Sequence, residues 1–582
     1  MKHSKKTRRQ EKNNSNQSQT RGGRILPIVI MWLVPVILAV PSVALSIMGH
    51  CSLAAALAQI LLPAGVMLAL VACNRKIGVT TLCLLPFMVL AAFQIVLLFL
   101  YADGSIICVD MFLNVMTTNS SEALELLGNL LPAICVVLVL YLPVIITALV
   151  FVHKGWGVTD GYRRVAVITG CMVAAFGTLA LATTLSAERN YKIEEDLYPI
   201  NVCCNMVEAF VRSHDTGNYH KDCDKYTYNV EKSRPDSERE VYIAVIGETS
   251  RADNWQLFGY NRFTTPYLCT LADTAIAAYG RTLSESNTTH KAVPLLLSPL
   301  TSDNFKKNIN HTKSVITAFK EAGYSTDFIS MQARNNSYID FFAFEADSTI
   351  FMREPEPGVV VNDVSDINAL PLVDSILANG TGKQLIVLHL YGSHFDYSDR
   401  YPREQAYFIP DLCQEATLAN RGRLINAYDN SIRQTDHLLY ELMTRLDSIG
   451  CRGGLVFTSD HGEDIYDDAR HRFLHASPTP TFRQLHVPFI IHMTPTLRRE
   501  HPELWTAAKS HEKDMVSSSA SFTPTLISLA GLKSDKVDET KALTSMSYVE
   551  ITEPVFLNDL NRAESLEEAG FRSPDFELLR NL

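Results

Sequence analysis

Five apolar runs dominate the first third of the chain and restrict its fold more than any other feature. They are Ile25–Met48, Ser52–Cys73, Ile77–Tyr101, Leu130–Val152 and Val165–Ser186, and none contains Asp, Glu, Lys, Arg or His. Each comes near the roughly 20 residues that cross the hydrocarbon core of a bilayer. A surface helix of a soluble protein keeps a polar face, so five uncharged helices of this length predict a membrane domain over 25–186. A cleaved signal peptide does not explain the first run, which is long and is followed by four more.

Charge sets the orientation. Residues 1–24 hold eight Lys/Arg against one Glu and read as a disordered cytoplasmic tail. The Asn74-Arg75-Lys76 turn and the Lys154–Arg164 loop are also basic. The Ala102–Leu127 loop has Asp103, Asp110, Glu122 and Glu125 and no Lys or Arg. Basic loops stay inside, so five spans put everything after residue 187 outside. The Ala102–Leu127 loop also carries Ile106, Ile107, Val109, Met111, Phe112 and Leu113, a composition expected of a segment lying on the membrane surface. A net charge of −10 gives no hint of nucleic acid. Six of the twelve cysteines lie in or beside membrane runs. The other six, Cys203, Cys204, Cys223, Cys269, Cys413 and Cys451, match no zinc spacing and are expected in disulfides or as buried thiols.

Residues 187–238 are polar and mixed, and are expected to form a linker along the membrane. From 239 to 582 the pattern changes to alternating strands and helices. Val241–Ile246, Ser325–Met331, Leu385–Tyr391, Gly454–Ser459 and Val487–His492 are short and apolar, as strands buried on both faces are. Thr417–Leu446 has helical spacing, and Ser521–Ala530 ends at Gly531 as a short helix does. The expected fold is an α/β sandwich with a mostly parallel central sheet.

Two strand ends carry the candidate chemistry. Gly247 closes one apolar run and Glu248 follows at once. Asp460-His461-Gly462-Glu463 follows another. In open parallel sheets, ligands sit in the crevice outside the carboxyl ends of the strands. Two carboxylates and an imidazole, Glu248, Asp460 and His461, suit a catalytic zinc with an open position. Between them lies Ser284-Glu285-Ser286-Asn287-Thr288-Thr289-His290-Lys291, just before an apolar helical stretch. A hydroxyl at such a helix start feels the positive end of the dipole, and beside a metal it can ionise and attack. Ser and Thr are also ordinary helix caps. His394 and His475 stand near these motifs and are candidate acid–base groups.

Taken together these pieces resemble the phosphoethanolamine transferases of Gram-negative inner membranes, in the sulfatase-like branch of the alkaline phosphatase superfamily. The matching segments are Gly247-Glu248-Thr249-Ser250-Arg251, Gly259-Tyr260-Asn261-Arg262, Thr264-Thr265-Pro266, Gly392-Ser393-His394, Arg400-Tyr401-Pro402, Ser459-Asp460-His461-Gly462-Glu463 and Leu474-His475. The resemblance implies an inner-membrane enzyme with a periplasmic catalytic domain. It implies that Glu248, Asp460 and His461 bind zinc with a nucleophilic Thr, and that His394 and His475 lie near the substrate phosphate or a second zinc. It further implies phosphatidylethanolamine as donor, a phospho-threonine intermediate, release of diacylglycerol, and lipid A or another surface glycan as acceptor. The family often has Cys-Gly-Thr where this chain has Ser286-Asn287-Thr288-Thr289, and Gly-Pro where it has Phe395-Asp396. The family spacing before Val293-Pro294 sets Thr288 ahead as nucleophile and metal ligand and leaves Thr289 to cap the helix, with both as candidates.

Three other readings compete. A sulfatase needs Cys or Ser in a C/S-x-P-S/A-R setting, and no stretch here has it. A glycerol-phosphate transferase shares the five spans and the Thr nucleophile, and differs in its product. A membrane-anchored binding protein without catalysis would not need all the candidate ligands and the Thr.

Overall fold

The computed structural model describes residues 25–49, 51–101, 105–117, 120–189, 191–217, 219, 223–353, 365–380 and 382–582. The basic tail read at 1–24 lies outside the described residues. Two compact units emerge. One joins the residues up to Cys108 with Asn129–Glu208; the other joins Val109–Gly128 with Ala209–Leu582.

Among the described residues, four helices are long and apolar enough to span a membrane: Ile25–Met48, Leu53–Ala72, Leu130–Lys154 and Asp160–Ala187. The third expected run is a broken pair, Ile77–Cys83 and Leu85–Phe99, bent by 52°. If the pair is one span, the total is five. Pro86 explains the break, because it has no N–H for the carbonyl four residues back and disfavours helical backbone before it. Leu53–Ala72 and Asp160–Ala187 cross with their backbones in near contact. A Cβ on Gly65 would come within 2.6 Å of the Gly170 carbonyl. Close packing through small residues is how helices associate where lipid removes the hydrophobic drive.

In the second unit seven strands form one sheet: β1 Glu240–Gly247, β2 Ile276–Tyr279, β3 Ser325–Ser330, β4 Ser348–Phe351, β5 Lys383–His389, β6 Arg452–Ser459 and β7 Phe489–Met493. Their order is β2-β7-β6-β1-β5-β3-β4. β1 runs parallel to both β5 and β6, and β7 runs antiparallel to both of its neighbours, β2 and β6. Every residue of β1 is buried, and its side chains alternate between two cores. Tyr242, Ala244 and Ile246 meet Val293, Leu296, Phe522 and Leu526 on one face. Val241, Ile243 and Val245 meet Leu438, Leu439 and Leu442 on the other. The second core is roofed by helix Arg421–Ile449. Burial on both faces is why β1 reads as an unbroken apolar run.

Three details differ from the sequence reading. The helix expected from Ser521 starts at Ser518, where Ser517 accepts a hydrogen bond from the Ala520 N–H; the serine run hides this cap. The short strands β2 and β4 lie at the sheet edges and have too few residues to give a periodic signal. All twelve cysteines are free thiols: of the outer six, Cys223 and Cys451 are the buried thiols that were one of the two expected forms, while Cys203, Cys204, Cys269 and Cys413 are neither bridged nor fully buried.

Candidate active site

β1, β5 and β6 end level with one another: Ile246 pairs with His389 and Thr458, and Gly247 with Ser459. The next residue on β1 is Glu248 and on β6 Asp460, so parallel pairing delivers both carboxylates to one crevice. Two features hold this corner. Thr249 takes a left-handed backbone, φ 58°, and its N–H donates to Asp460 Oδ1 at 3.0 Å. Gly392, also left-handed, passes so close that a Cβ would sit 2.5 Å from the Glu248 carbonyl oxygen. That accounts for the glycine of Gly-Ser-His.

The donor atoms converge. His461 Nδ1 lies 2.9 Å from the Gly462 carbonyl, which takes its proton and leaves Nε2 as the free lone pair. That Nε2 is 3.2 Å from Asp460 Oδ2 and 3.6 Å from Glu248 Oε1. Thr289 Oγ1 is 3.2 Å from the same Nε2 and 3.3 Å from both Glu248 oxygens. Four ligands on arms of ~2.05 Å around a tetrahedral zinc stand about 3.3 Å apart. Among the described residues, Asp460 Oδ2 is buried and makes no hydrogen bond of ordinary geometry, which suits an atom reserved for a cation. His475 adds its ring: ligand atoms of Glu248, His461 and His475 lie within 4.8 Å of one another. The residues present therefore fit a metal ion.

The electrostatics agree. Burial pushes Asp460 up to about 7. Burial, then the charge of Asp460, raises Glu248 well above the carboxylate range. Burial, then His475, lowers His461 far below the usual imidazole value. Facing carboxyls with no cation between them resist ionisation, and a bound divalent ion reverses that preference. His475 behaves differently. Burial alone would lower it, but Glu463, 3.1 Å from Nδ1, and the charge of Glu248 hold it above its ordinary value. Tyr397 donates to the other Glu463 oxygen at 2.6 Å. His394 is driven down to about 3 by burial, then by His475 and Arg400. It stacks on Tyr391 at 5.1 Å, and Arg353 and Arg400 lie 4.0 and 4.1 Å from that same ring.

The structure thus brings together Glu248, Asp460, His461, Thr289, His394 and His475. Thr288 differs from the sequence reading. It occupies the cap position with extended backbone and makes no capping bond, and its hydroxyl lies 3.2 Å from Ser286 Oγ. Thr289, the first helical residue, faces the carboxylates. The reason is backbone phase: the helix begins at Thr289, one residue earlier than a Thr289 cap would have it, which turns Thr288 away and Thr289 inward. Three residues escaped the sequence reading. Gln332 donates to Glu248 Oε2 at 3.0 Å and to the Leu390 carbonyl at 3.0 Å. Asp366 accepts from the N–H groups of Tyr391 and Gly392. Asp110 reaches the residues after Thr289. None lies in a motif, and only the apolar strand before Gln332 hinted at its place.

The sequence model of the sulfatase family matches residues 240–532, half of the chain. The chain belongs to the sulfatase family. Among curated relatives, the phosphoethanolamine transferase EptC of Escherichia coli K12 is 28% identical over 331 residues, covering 55% of this chain and 56% of its own length. The Kdo(2)-lipid A phosphoethanolamine 7''-transferase of Salmonella typhimurium is 30% identical over 277 residues, 46% of each chain. The chain spans about half the length of the curated relatives it matches. Among solved structures, the lipooligosaccharide phosphoethanolamine transferase A of Neisseria meningitidis superposes with a TM-score of 0.68 at 18% identity, over 88% of this chain and 98% of that one. The C-terminal periplasmic domain of E. coli EptC, solved in complex with Zn, gives 0.53 at 24% identity, over 60% and 97%. The fold is therefore an apolar helical unit followed by a sulfatase-like domain, as the sequence reading expected.

Proposed function

We propose that this chain is a zinc-dependent phosphoethanolamine transferase of the Gram-negative inner membrane, with its sulfatase-like domain in the periplasm. The donor is phosphatidylethanolamine, and the acceptor is a lipid A phosphate or sugar or another surface glycan. The observation that carries this reading is the position of Thr289 Oγ1, between Glu248 and His461 at the start of a helix. Glu248, Asp460 and His461 with Thr289 would hold the zinc, which supplies a Lewis acid that lowers the pKa of the hydroxyl and offsets charge on the phosphoryl oxygens.

The side chains divide the remaining work. The Thr289 hydroxyl points its proton at Glu248 and attacks phosphorus, forming a phospho-threonine while the bond to the diacylglycerol oxygen breaks. His475, backed by Glu463, donates the proton that the leaving alkoxide needs. The acceptor oxygen then attacks the phospho-threonine and restores Thr289, its proton passing to His475, which the first step left neutral, so that the acid is regenerated.

A fluorescent phosphatidylethanolamine given to the purified full-length protein should yield fluorescent diacylglycerol, and mass spectrometry should find phosphoethanolamine added to lipid A or a glycan of cells carrying the gene. Glycerol phosphate on the acceptor instead would replace this reading with the related transferase. The topology has its own check. A phosphatase fused after residue 200 should be active and one within Lys154–Arg164 inactive; the opposite result would rule out a periplasmic site.

A further inference from the structure

Asp110 stands in the first turn of the helix Val109–Thr117, a segment that belongs to the sulfatase-fold unit although it lies between apolar runs in the sequence. It is 5% exposed. Its Oδ2 accepts from Lys291 Nζ at 2.5 Å and its Oδ1 is 3.3 Å from His290 Nε2. The Lys291 ammonium also donates to the Asn558 carbonyl at 2.7 Å. Arg212 Nη1 lies 3.9 Å from Asp110 Oδ1 and donates to the Asp559 carbonyl at 2.6 Å. Val109 N–H reaches the Asp559 carboxylate at 3.4 Å. Burial works against ionisation of Asp110, but the Lys291 charge and the His290 contact outweigh it and hold the group at about 2.

Lys291 is 2% exposed. A buried ammonium is costly unless it is paired and hydrogen-bonded. The helix that carries it, Thr289–Leu296, continues as Ala292, Val293, Pro294, Leu295 and Leu296 and has no acid of its own. The charge partner comes from 181 residues earlier in the chain. The helix is also weak by itself: it has eight residues, Pro294 inside it and no side-chain cap at Thr288. Its first turn must be held from outside, and His290 and Lys291, which Asp110 grips, directly follow Thr289.

We infer that Asp110 is a positioning residue that fixes the turn carrying Thr289, and so makes the segment between the apolar runs a working part of the active site. This rests on the reading of Thr289 as the nucleophile. Among the described residues, the hydrogen bonds and ion pairs of Asp110 go to His290, Lys291 and Arg212 and to no candidate metal ligand, so its effect passes through the helix.

The test uses the full-length, zinc-loaded protein with fluorescent phosphatidylethanolamine. Asp110→Asn should lower kcat about ten- to hundredfold, the scale expected for small misplacement of a reacting group. Donor KM and bound zinc should stay within about twofold, and amide hydrogen exchange over residues 289–296 should quicken. Asp110→Glu, which keeps the charge, should recover most of kcat. Asp110→Lys should fall further, and adding Lys291→Asp to it should regain at least about tenfold. If Asp110→Asn does not accumulate, Asp110→Glu and the charge swap carry the test by the same measures. The inference is overturned if kcat stays within twofold, if exchange over 289–296 is unchanged, or if the swap recovers nothing. Exchange and zinc content can be read without turnover. A wild-type protein that ignores phosphatidylethanolamine, with exchange still responding to Asp110, would therefore remove the donor reading and leave the positioning role standing.

Discussion

Thr289→Ala is expected to lower release of diacylglycerol from phosphatidylethanolamine by a factor on the order of 10⁴ or more, the scale seen when a nucleophile that acts with its partners is removed. Thr288→Ala should leave the rate within a few-fold. The two substitutions delete the same atoms one residue apart, so the contrast tests the geometry directly. Thr289 Oγ1 is 3.2 Å from His461 Nε2, whereas the Thr288 hydroxyl faces Ser286. Thr288→Ala removes one partner of a buried hydroxyl–hydroxyl hydrogen bond and should cost about 1 kcal/mol of stability. Thr289→Ser keeps an oxygen and should retain measurable turnover. Peptide mapping of enzyme quenched with donor and no acceptor should find the phosphoryl group on Thr289. A phosphoryl group on Thr288 would reverse the assignment while keeping the two-step scheme. Full turnover in both alanine variants, with no labelled peptide, would end the scheme.

How far the sequence revealed this site depended on the range of the interactions involved. β1 and β6 are buried on both faces, so their apolar runs were visible, and Glu248 and Asp460 stand where those runs stop. Parallel pairing then fixes that they meet. Thr288 and Thr289 were harder. Which of two adjacent hydroxyls faces the crevice depends on where the helix starts, to a single residue, and a helix with Pro294 inside it and no side-chain cap gives little local signal for that start. Gln332, Asp366 and Asp110 were invisible for another reason. Gln332 and Asp110 find their partners 84 and 181 residues away, and nothing near any of the three in sequence marks the contact. In the helical unit the apolar runs were plain, but the 52° bend follows from Pro86 inside a run that remains apolar throughout.

Asp460→Asn is expected to lower bound zinc from about one per domain to near zero, and transfer by about 10³-fold or more, because an open catalytic site has few ligands to spare. The substitution is close to isosteric. Its side-chain oxygen can still accept from Thr249 N–H and His461 N–H, as Asp460 Oδ1 does at 3.0 and 2.7 Å. What changes is Oδ2, the buried atom with no hydrogen bond of ordinary geometry among the described residues, which becomes an NH₂ that cannot ligate. Stability then separates a ligand from a structural residue. Without metal, burial raises Asp460 to about 7 in the folded protein, above the ordinary ~3.9 of an unfolded Asp. A raised carboxyl binds more protons folded than unfolded, so its contribution is whole below pH ~4 and is lost as pH climbs through about 7. In chelator at pH 8 the wild-type domain must therefore ionise Asp460 beside Glu248, and Asp460→Asn should melt at an equal or higher temperature. At pH 5 that difference should shrink. With zinc at pH 8 the order should invert, the wild type gaining about 3 kcal/mol at a free metal concentration a hundred times its Kd. Unchanged zinc content, or a variant less stable than wild type even in chelator at pH 8, would show that Asp460 serves the fold and not the ion.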